Sequence, residues 1–166
     1  CPPDCYKDCK NNRIQNKQFK EVYSGQSFVI NGCRGLFPRH KVNANDLICV
    51  FPGEYVSPGK VPPEAMCIRP EDCDRVIVPR PGDEEVTAWT INHSHDPNVH
   101  AITVKTYTEH GKEIDVAAVF ALRDLASGEE LLLDYKSYLQ PGEKPEKCNC
   151  PECETLSKEQ CFFAEG

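Results

Sequence analysis

The stretch GEELLLDY, residues 128–135, ends an apolar run on an acid and a tyrosine, and a second unusual cluster, INHSHDPN, lies upstream at residues 91–98. The leucines predict a short buried strand. Taken alone, Tyr135 is an aromatic residue that closes a half-buried strand, and an isolated Asn-His pair is typical of a turn. The function of the chain therefore depends on whether these two segments meet in space.

Composition predicts one soluble domain. The 166 residues suffice for a single core, and 14 Pro with 10 Gly predict many short elements and turns. The longest apolar run, VAAVFAL at residues 116–122, is far shorter than the roughly 20 residues that a membrane span needs, so we expect no membrane segment. A net charge of -7 argues against nonspecific nucleic-acid binding and suits a partner rich in Lys and Arg.

Eleven cysteines are the strongest compositional signal, and many of them cluster at the two ends. An odd total fits complete disulfide pairing poorly. In the run CNCPEC, adjacent disulfides would be strained, whereas three thiolates converge easily on one zinc ion at about 2.3 Å. We therefore favour zinc over disulfides for this run, and a reducing compartment for the chain. The N-terminal group is left open between a structural role and zinc binding: Cys1, Cys5 and Cys9.

Local patterns predict a mostly β fold with little helix. Residues 99–122 form two alternating arms around EHGKE, which predicts a β-hairpin. Residues 64–75 predict one short helix, cut by Pro70, and residues 1–18 read as a polar arm without periodicity. Further short strands are predicted at residues 19–24, 26–30, 35–38, 47–51, 74–79 and 131–135.

Four motifs follow one another along this β framework, and the run CNCPEC comes after them. They are Gly32-Cys33-Arg34-Gly35-Leu36, Glu54-Tyr55-Val56-Ser57, INHSHDPN and GEELLLDY. Together they resemble the SET domain of protein lysine methyltransferases, and the resemblance spans roughly residues 10–165. It implies a SET-domain fold of several small sheets with short helices and a knot-like core, in which the NHS segment threads under the strand of GEELLLDY.

The resemblance also implies boundaries within the chain. Residues 1–18 would be the remnant of a Cys-rich pre-SET segment. Residues 19–139 would form the SET domain, with a short insert at residues 57–85. Residues 140–166 would form a post-SET zinc-binding segment.

The activity implied by the resemblance is S-adenosylmethionine-dependent methylation of a protein lysine, with a histone tail as substrate. Lysine has a solution pKa near 10.4, so near neutral pH only about one in a thousand is nucleophilic. A channel that strips water from the ammonium lowers that pKa. Methyl transfer is a direct displacement that needs in-line positioning, for which effective-molarity effects are large.

The site residues are assigned by the same resemblance. Tyr135 would be the central active-site residue, because its hydroxyl can hydrogen-bond the amine and its ring can face a cation. Tyr55 would form a channel wall and Leu133 would line the channel, where the lack of a hydroxyl favours higher methylation states. The cofactor would be held by the remaining set: Arg34, Gly35, Leu36, Asn92, His93 and Phe162.

The chain departs from the family pattern at several positions. His95 stands where the family usually has a zinc-binding Cys, and because imidazole is an equally good zinc ligand we expect a Cys3His site. Residues 88–90, Ala-Trp-Thr, replace the commoner Ala-Arg-Phe, and Ser57-Pro58 lacks the usual glutamate. The zinc ligands would be His95, Cys148, Cys150 and Cys153, with Cys161 as the alternative to Cys153.

Two other functions stay open at this point. The first is a catalytically inactive SET fold that serves as a binding module for a basic peptide. The second is a secreted Cys-rich β domain whose motifs are coincidental. For the methyltransferase, the resemblance implies a nuclear, chromatin location, no direct nucleic-acid contact, no membrane contact, and a place in a longer chain or a complex.

Overall fold

A computed structural model of the chain describes residues 10–61, 67–70, 73–82, 87–108 and 110–134. These residues contain one α-helix, α1 (Lys10–Gln15), and two short 3-10 helices, Pro58–Lys60 and Thr87–Thr90. The strands are β1 (Val22–Gln26), β2 (Arg34–Pro38), β3 (Leu47–Phe51), β4 (Glu54–Val56), β5 (Val76–Val78), β6 (Asn92–His93), β7 (Val99–Tyr107), β8 (Glu113–Ala121) and β9 (Leu132–Leu133).

The central sheet has three antiparallel strands in the order β3-β8-β7. The predicted hairpin is confirmed, since β7 and β8 pair in register from Val99 opposite Ala121 to Tyr107 opposite Glu113. Strand β8 ends in five consecutive buried residues, Ala117–Ala121. Their side chains alternate between the two faces of the sheet, so this strand separates two groups of apolar side chains that form the core.

Two smaller antiparallel sheets, β1-β2 and β4-β5, surround the core. The mostly β fold with several small sheets and short helices is therefore confirmed. No helix of the described residues is long and apolar enough to cross a membrane.

Strands β6 and β9 form the contact expected between the INHSHDPN and GEELLLDY segments, and we call this contact the crossing. They are far apart in sequence and pair in parallel, with Asn92 opposite Leu132 and His93 opposite Leu133. The Ser94 N–H extends the pairing by donating to the Leu133 carbonyl at 2.9 Å. The predicted meeting of the INHSHDPN and GEELLLDY segments is thus confirmed.

Asn98 locks the crossing with its side chain and its backbone, because two strands of two residues each cannot hold it alone. Its Nδ2 donates to the Glu130 carbonyl at 2.8 Å, and its Oδ1 accepts from the Leu132 N–H at 2.8 Å. Its own N–H donates to the Leu132 carbonyl at 3.1 Å. Only 2% of Asn98 is exposed, so water cannot replace these bonds.

The polar arm predicted at residues 1–18, metal-clipped or extended, contains helix α1, and its residues 1–9 lie outside the described part. Tertiary contacts stabilise the helix, and its polar sequence alone does not indicate them. Arg13 donates to the Asn45 carbonyl at 2.9 Å, and Ile14 packs against the apolar group that contains Val104 and Phe120.

Two other local predictions are also corrected. Of the strand expected at residues 26–30, only Gln26 is in a strand, as the last residue of β1. The chain turns after Gln26 because the Ser27 Oγ accepts from the N–H groups of Val29 and Ile30. Within the helix predicted at residues 64–75, the described residues around Ile68 are extended, and Ile68 pairs with Ile77 beside β5.

We expect Asn98→Ala to lower the free energy of unfolding by about 2–4 kcal/mol, because it leaves the Leu132 N–H and the Glu130 carbonyl buried without partners. Asn31→Ala, in an exposed turn, is the matched control and should change stability by less than about 0.5 kcal/mol. Urea unfolding followed by circular dichroism measures both. Equal effects of the two substitutions would contradict the role of Asn98.

The described cysteines differ in exposure, since Cys33 and Cys67 are exposed and Cys49 is buried. Burial raises the pKa of Cys49 to about 12, so at pH 8 only about one thiol in ten thousand is ionised. We expect a maleimide to modify the exposed Cys33 and Cys67 in the native protein and to leave Cys49 unmodified until urea is added. Peptide mass spectrometry reads out each site, and rapid native modification of Cys49 would refute the buried placement.

Candidate functional site

The candidate site lies where β2 passes the crossing, and Asn92 is at its centre. Its Nδ2 donates to the Arg34 carbonyl at 2.8 Å and to the Glu130 Oε1 at 2.9 Å. Gly35 adjoins Arg34 and lies against the same glutamate. Three of the residues predicted to hold the cofactor, Arg34, Gly35 and Asn92, are therefore brought together.

The Arg34 side chain is directed away from Asn92. Its Nε donates to the Ser24 Oγ at 3.0 Å, and its Nη2 donates to the Ser24 carbonyl at 3.2 Å. Leu36 is fully buried, and its carbonyl accepts from the Leu131 N–H at 2.8 Å. The side chains of Arg34 and Leu36 are thus engaged within the protein, and so are their backbone carbonyls.

Glu130 is the residue of this site that sequence reasoning missed. Only 5% of it is exposed, yet its carboxylate accepts from the Ser27 Oγ at 2.7 Å and from the Phe28 N–H at 2.7 Å, in addition to Asn92. Its signal in the sequence was a second glutamate directly before an apolar run. A glutamate at such a position faces either solvent or the core, and the pattern alone does not say which.

The neighbouring Glu129 has a different environment and serves the turn before β9. It pairs with Arg123 at 2.6 Å and accepts from the Ala126 N–H at 2.9 Å. Burial by itself would raise the pKa of Glu129, but the hydrogen bonds from Arg123 and Ala126 outweigh it and hold that pKa below its usual range. The carboxylates of the two adjacent glutamates thus have different partners, and the Glu129 carboxylate also accepts from the Asn98 Nδ2 at 3.3 Å.

His93, His95 and Asp134 form a cluster at the ends of the crossing strands. The two imidazole rings lie 4.6 Å apart and perpendicular, and His93 Nδ1 lies 3.9 Å from the Asp134 carboxylate. One ligand atom from each of the three residues falls within 4.8 Å of the others. This geometry is compatible with a bound metal ion.

Both the hydroxyl and the aromatic ring of Tyr55 make defined contacts. Its hydroxyl is hydrogen-bonded to the Thr103 Oγ1 at 3.1 Å, and the Arg75 guanidinium lies over its ring at 4.9 Å. Arg75 is itself paired with Asp115, and the hydrogen bond that its guanidinium donates to that carboxylate raises the pKa of Arg75. Tyr55 packs against the same apolar core that contains Leu133.

Comparison with known proteins identifies the family. A sequence profile of the SET domain matches residues 33–136, more than half of the chain. This chain belongs to the SET domain family. The match includes Tyr135, the last residue of the fourth motif. Tyr135 lies outside the described residues.

Relatives and solved structures agree with this assignment. The SET domain is similar to the probable histone-lysine N-methyltransferase set-23 of Caenorhabditis briggsae, at 26% identity over 86% of this chain and 61% of that protein. It is 30% identical to human histone-lysine N-methyltransferase 2B over 83% of this chain and 5% of that protein. The chain thus spans about three-fifths of the first relative and a small part of the second.

Among solved structures, the SET domain resembles a humanized mutant of the Chaetomium thermophilum Polycomb Repressive Complex 2 bound to the inhibitor GSK343. The TM-score is 0.57 at 21% identity, over 80% of this chain and 17% of that one. The same TM-score, identity and coverage hold for that complex in an autoinhibited conformation bound to S-adenosylmethionine. At this level of identity the likeness establishes the fold.

Two departures from the family pattern acquire a structural explanation. Trp89, which replaces the commoner Arg, donates its indole N–H to the Pro52 carbonyl at 3.0 Å and packs edge-on against Phe51 at 5.0 Å. It anchors a loop and brings no positive charge to the site. Leu133 is fully buried in the apolar core beside the crossing.

The predicted zinc site can be examined at one of its ligands. His95 is half-buried beside His93, and three thiolates with one imidazole are a donor set that suits tetrahedral zinc. The other expected ligands, Cys148, Cys150 and Cys153, lie outside the described residues, as does Phe162. The zinc site therefore stays a prediction.

We expect His95→Ala to lower bound zinc per chain by about one equivalent, and His95→Cys to retain it, because thiolate and imidazole both ligate zinc in such sites. Asp134→Asn is the matched control for the His93, His95 and Asp134 cluster and should retain zinc. Elemental analysis of purified protein after dialysis against a mild chelator measures the content. Loss of zinc in Asp134→Asn but not in Cys150→Ser would move the ion from the post-SET cysteines to that cluster.

Proposed function

We propose that this SET domain is an S-adenosylmethionine-dependent protein lysine N-methyltransferase that acts on a histone tail. The observation that carries the proposal is the parallel pairing of β6 with β9. It brings Asn92 and the backbone of Arg34 beside the strand that leads directly into Asp134 and Tyr135. This pairing supports the proposal that the cofactor-binding motif and the expected catalytic tyrosine serve one site.

The cofactor would be held mainly by backbone groups. Gly35 permits the close approach of Glu130, and the Asn92 amide that Glu130 holds and the segments next to it supply hydrogen-bonding groups. His93 and Phe162 complete the expected set. When bound, S-adenosylmethionine supplies an activated methyl group attached to positive sulfur.

The protein's task toward the lysine is to exclude water and to align the amine. Leu133 and the rigidly held Tyr55 provide apolar and aromatic surface in the core next to the crossing. A desolvated ammonium has a lowered pKa, which raises the nucleophilic fraction. Tyr135 would then orient the amine through its hydroxyl, without the need for a strong base.

The substrate assignment has two supports. The chain carries a net charge of -7, which suits a peptide rich in Lys and Arg. Both curated relatives named above are histone-lysine N-methyltransferases or probable ones. We infer from this a nuclear, chromatin location, a role for post-SET zinc, and membership in a longer chain or a complex, without direct nucleic-acid contact.

The second candidate function is a catalytically inactive SET fold that binds a basic peptide. Two observations favour it: Trp89 places no cation at the site, and the Tyr55 ring already faces the guanidinium of Arg75. Calorimetric titration with S-adenosylmethionine separates the candidates, because an inactive module has no need of the cofactor.

We expect Tyr135→Phe to lower kcat on histone peptides by about a hundredfold, since a single well-placed hydroxyl is worth roughly this much in a transition state. A panel of histones and histone peptides with radiolabelled cofactor provides the assay. Tyr107→Phe, which removes an exposed hydroxyl bonded to Glu113, is the matched control and should retain activity. Full activity in Tyr135→Phe would refute the role assigned to this tyrosine.

A further inference from the structure

Glu130 has an environment that its place in the motif does not explain. It is a buried carboxylate, and among the described residues no Lys or Arg pairs with it. Burying a carboxylate is costly unless hydrogen bonds replace its water. Here three neutral donors from two parts of the chain do so: the Ser27 hydroxyl and the Phe28 N–H of one turn, and the Asn92 amide of β6.

We propose that Glu130 is a positioning residue of the cofactor site, whose carboxylate fixes the orientation of the Asn92 amide and of the turn at Ser27 and Phe28. The inference rests on the proposed function, because the site it organises is the one assigned to S-adenosylmethionine. Glu130 acts through Asn92 and is not itself assigned a contact with the cofactor.

The orientation of Asn92 follows from counting hydrogens. A side-chain amide has two N–H donors, and Asn92 uses its Nδ2 for the Arg34 carbonyl at 2.8 Å and the Glu130 Oε1 at 2.9 Å. Both partners are acceptors only, so the amide cannot flip without placing its oxygen against two oxygens. The Asn92 Oδ1 is therefore presented to a ligand as a fixed acceptor.

The other side of the carboxylate fixes the turn. Oε1 also accepts from the Ser27 Oγ at 2.7 Å, and Oε2 accepts from the Phe28 N–H at 2.7 Å. The same Ser27 Oγ accepts from the Val29 and Ile30 N–H groups. One carboxylate thus ties the turn after β1 to β6.

Gly35 shows how closely the site is built around this carboxylate. A Cβ at position 35 would lie 2.8 Å from the Glu130 carboxyl carbon and closer still to one of its oxygens. Contacts of that length are not tolerated, so the glutamate would have to move. The absence of a side chain at Gly35 is therefore required by the position of Glu130.

A neutral side chain of the same shape cannot replace the carboxylate. In Glu130→Gln, one of the two former acceptor positions becomes an NH2 group. It then faces either the Phe28 N–H or the donors of Ser27 and Asn92, which sets donor against donor. The Asn92 amide or the turn must give way in either case.

We expect Glu130→Gln to weaken S-adenosylmethionine binding at least about tenfold by calorimetry, and to raise the KM for the cofactor while the KM for the peptide changes less than twofold. Glu113→Gln, which removes an exposed carboxylate of β8, is the matched control and should change neither affinity. A purely structural loss would lower the active fraction of enzyme without separating the two KM values.

A double-mutant cycle tests the route through Asn92. Asn92→Ala should weaken cofactor binding at least about tenfold, and the double substitution of Glu130→Gln with Asn92→Ala should lie within threefold of the weaker single variant. Multiplicative losses would overturn the proposal, and so would Glu130→Gln binding within twofold of the wild type.

A second variant keeps the test decisive if Glu130→Gln does not fold. Ser27→Ala removes one of the three donors and leaves the charge, and it should raise the KM for the cofactor at least threefold with the peptide KM unchanged. An unchanged cofactor KM in that variant would refute the proposal. If the wild type itself binds no cofactor, both the proposed function and this inference are refuted. If the wild type binds the cofactor and the substitutions at Glu130 do not change that binding, only the inference is refuted.

Discussion

The parallel pairing of β6 with β9 is the contact on which the rest of the structure depends. It joins two segments that are distant in sequence through strands of only two residues each, so backbone bonding alone cannot make it unique. Asn98 supplies the missing specificity, since its amide and its backbone together satisfy three polar groups of the GEELLLDY segment. A buried polar network of this kind specifies one register because every alternative leaves groups unsatisfied.

The candidate site inherits its precision from this crossing. Asn92 lies in β6 and Glu130 lies just before β9, so their hydrogen bond exists only when the two strands are paired. Strand β2 then adds the Arg34 carbonyl, and Gly35 leaves the space that the carboxylate fills. A site made of backbone groups and one oriented amide needs little side-chain chemistry, and this suits a reaction in which positioning supplies much of the rate.

The sequence predicted the parts of the fold that local pattern or motif order determines. The hairpin at residues 99–122 follows from alternation and turn chemistry, and the strand at residues 47–51 follows from a short apolar run. The crossing followed from the family resemblance, because no local rule pairs such distant segments. Helix α1 was missed because tertiary contacts at Arg13 and Ile14 stabilise it, and Glu130 was missed because burial of a carboxylate depends on donors far away in the chain.

The position of the hairpin between the two halves of the crossing also bears on how the chain reaches this state. Closing a long loop costs conformational entropy before any contact rewards it. When β7 and β8 zip together down to Val99 and Ala121, the Leu122 N–H reaches the Asn98 carbonyl at 2.9 Å and the two distant segments are already neighbours. The hairpin thus shortens the effective loop between β6 and β9. This makes the pairing of these two distant strands kinetically accessible to a small domain.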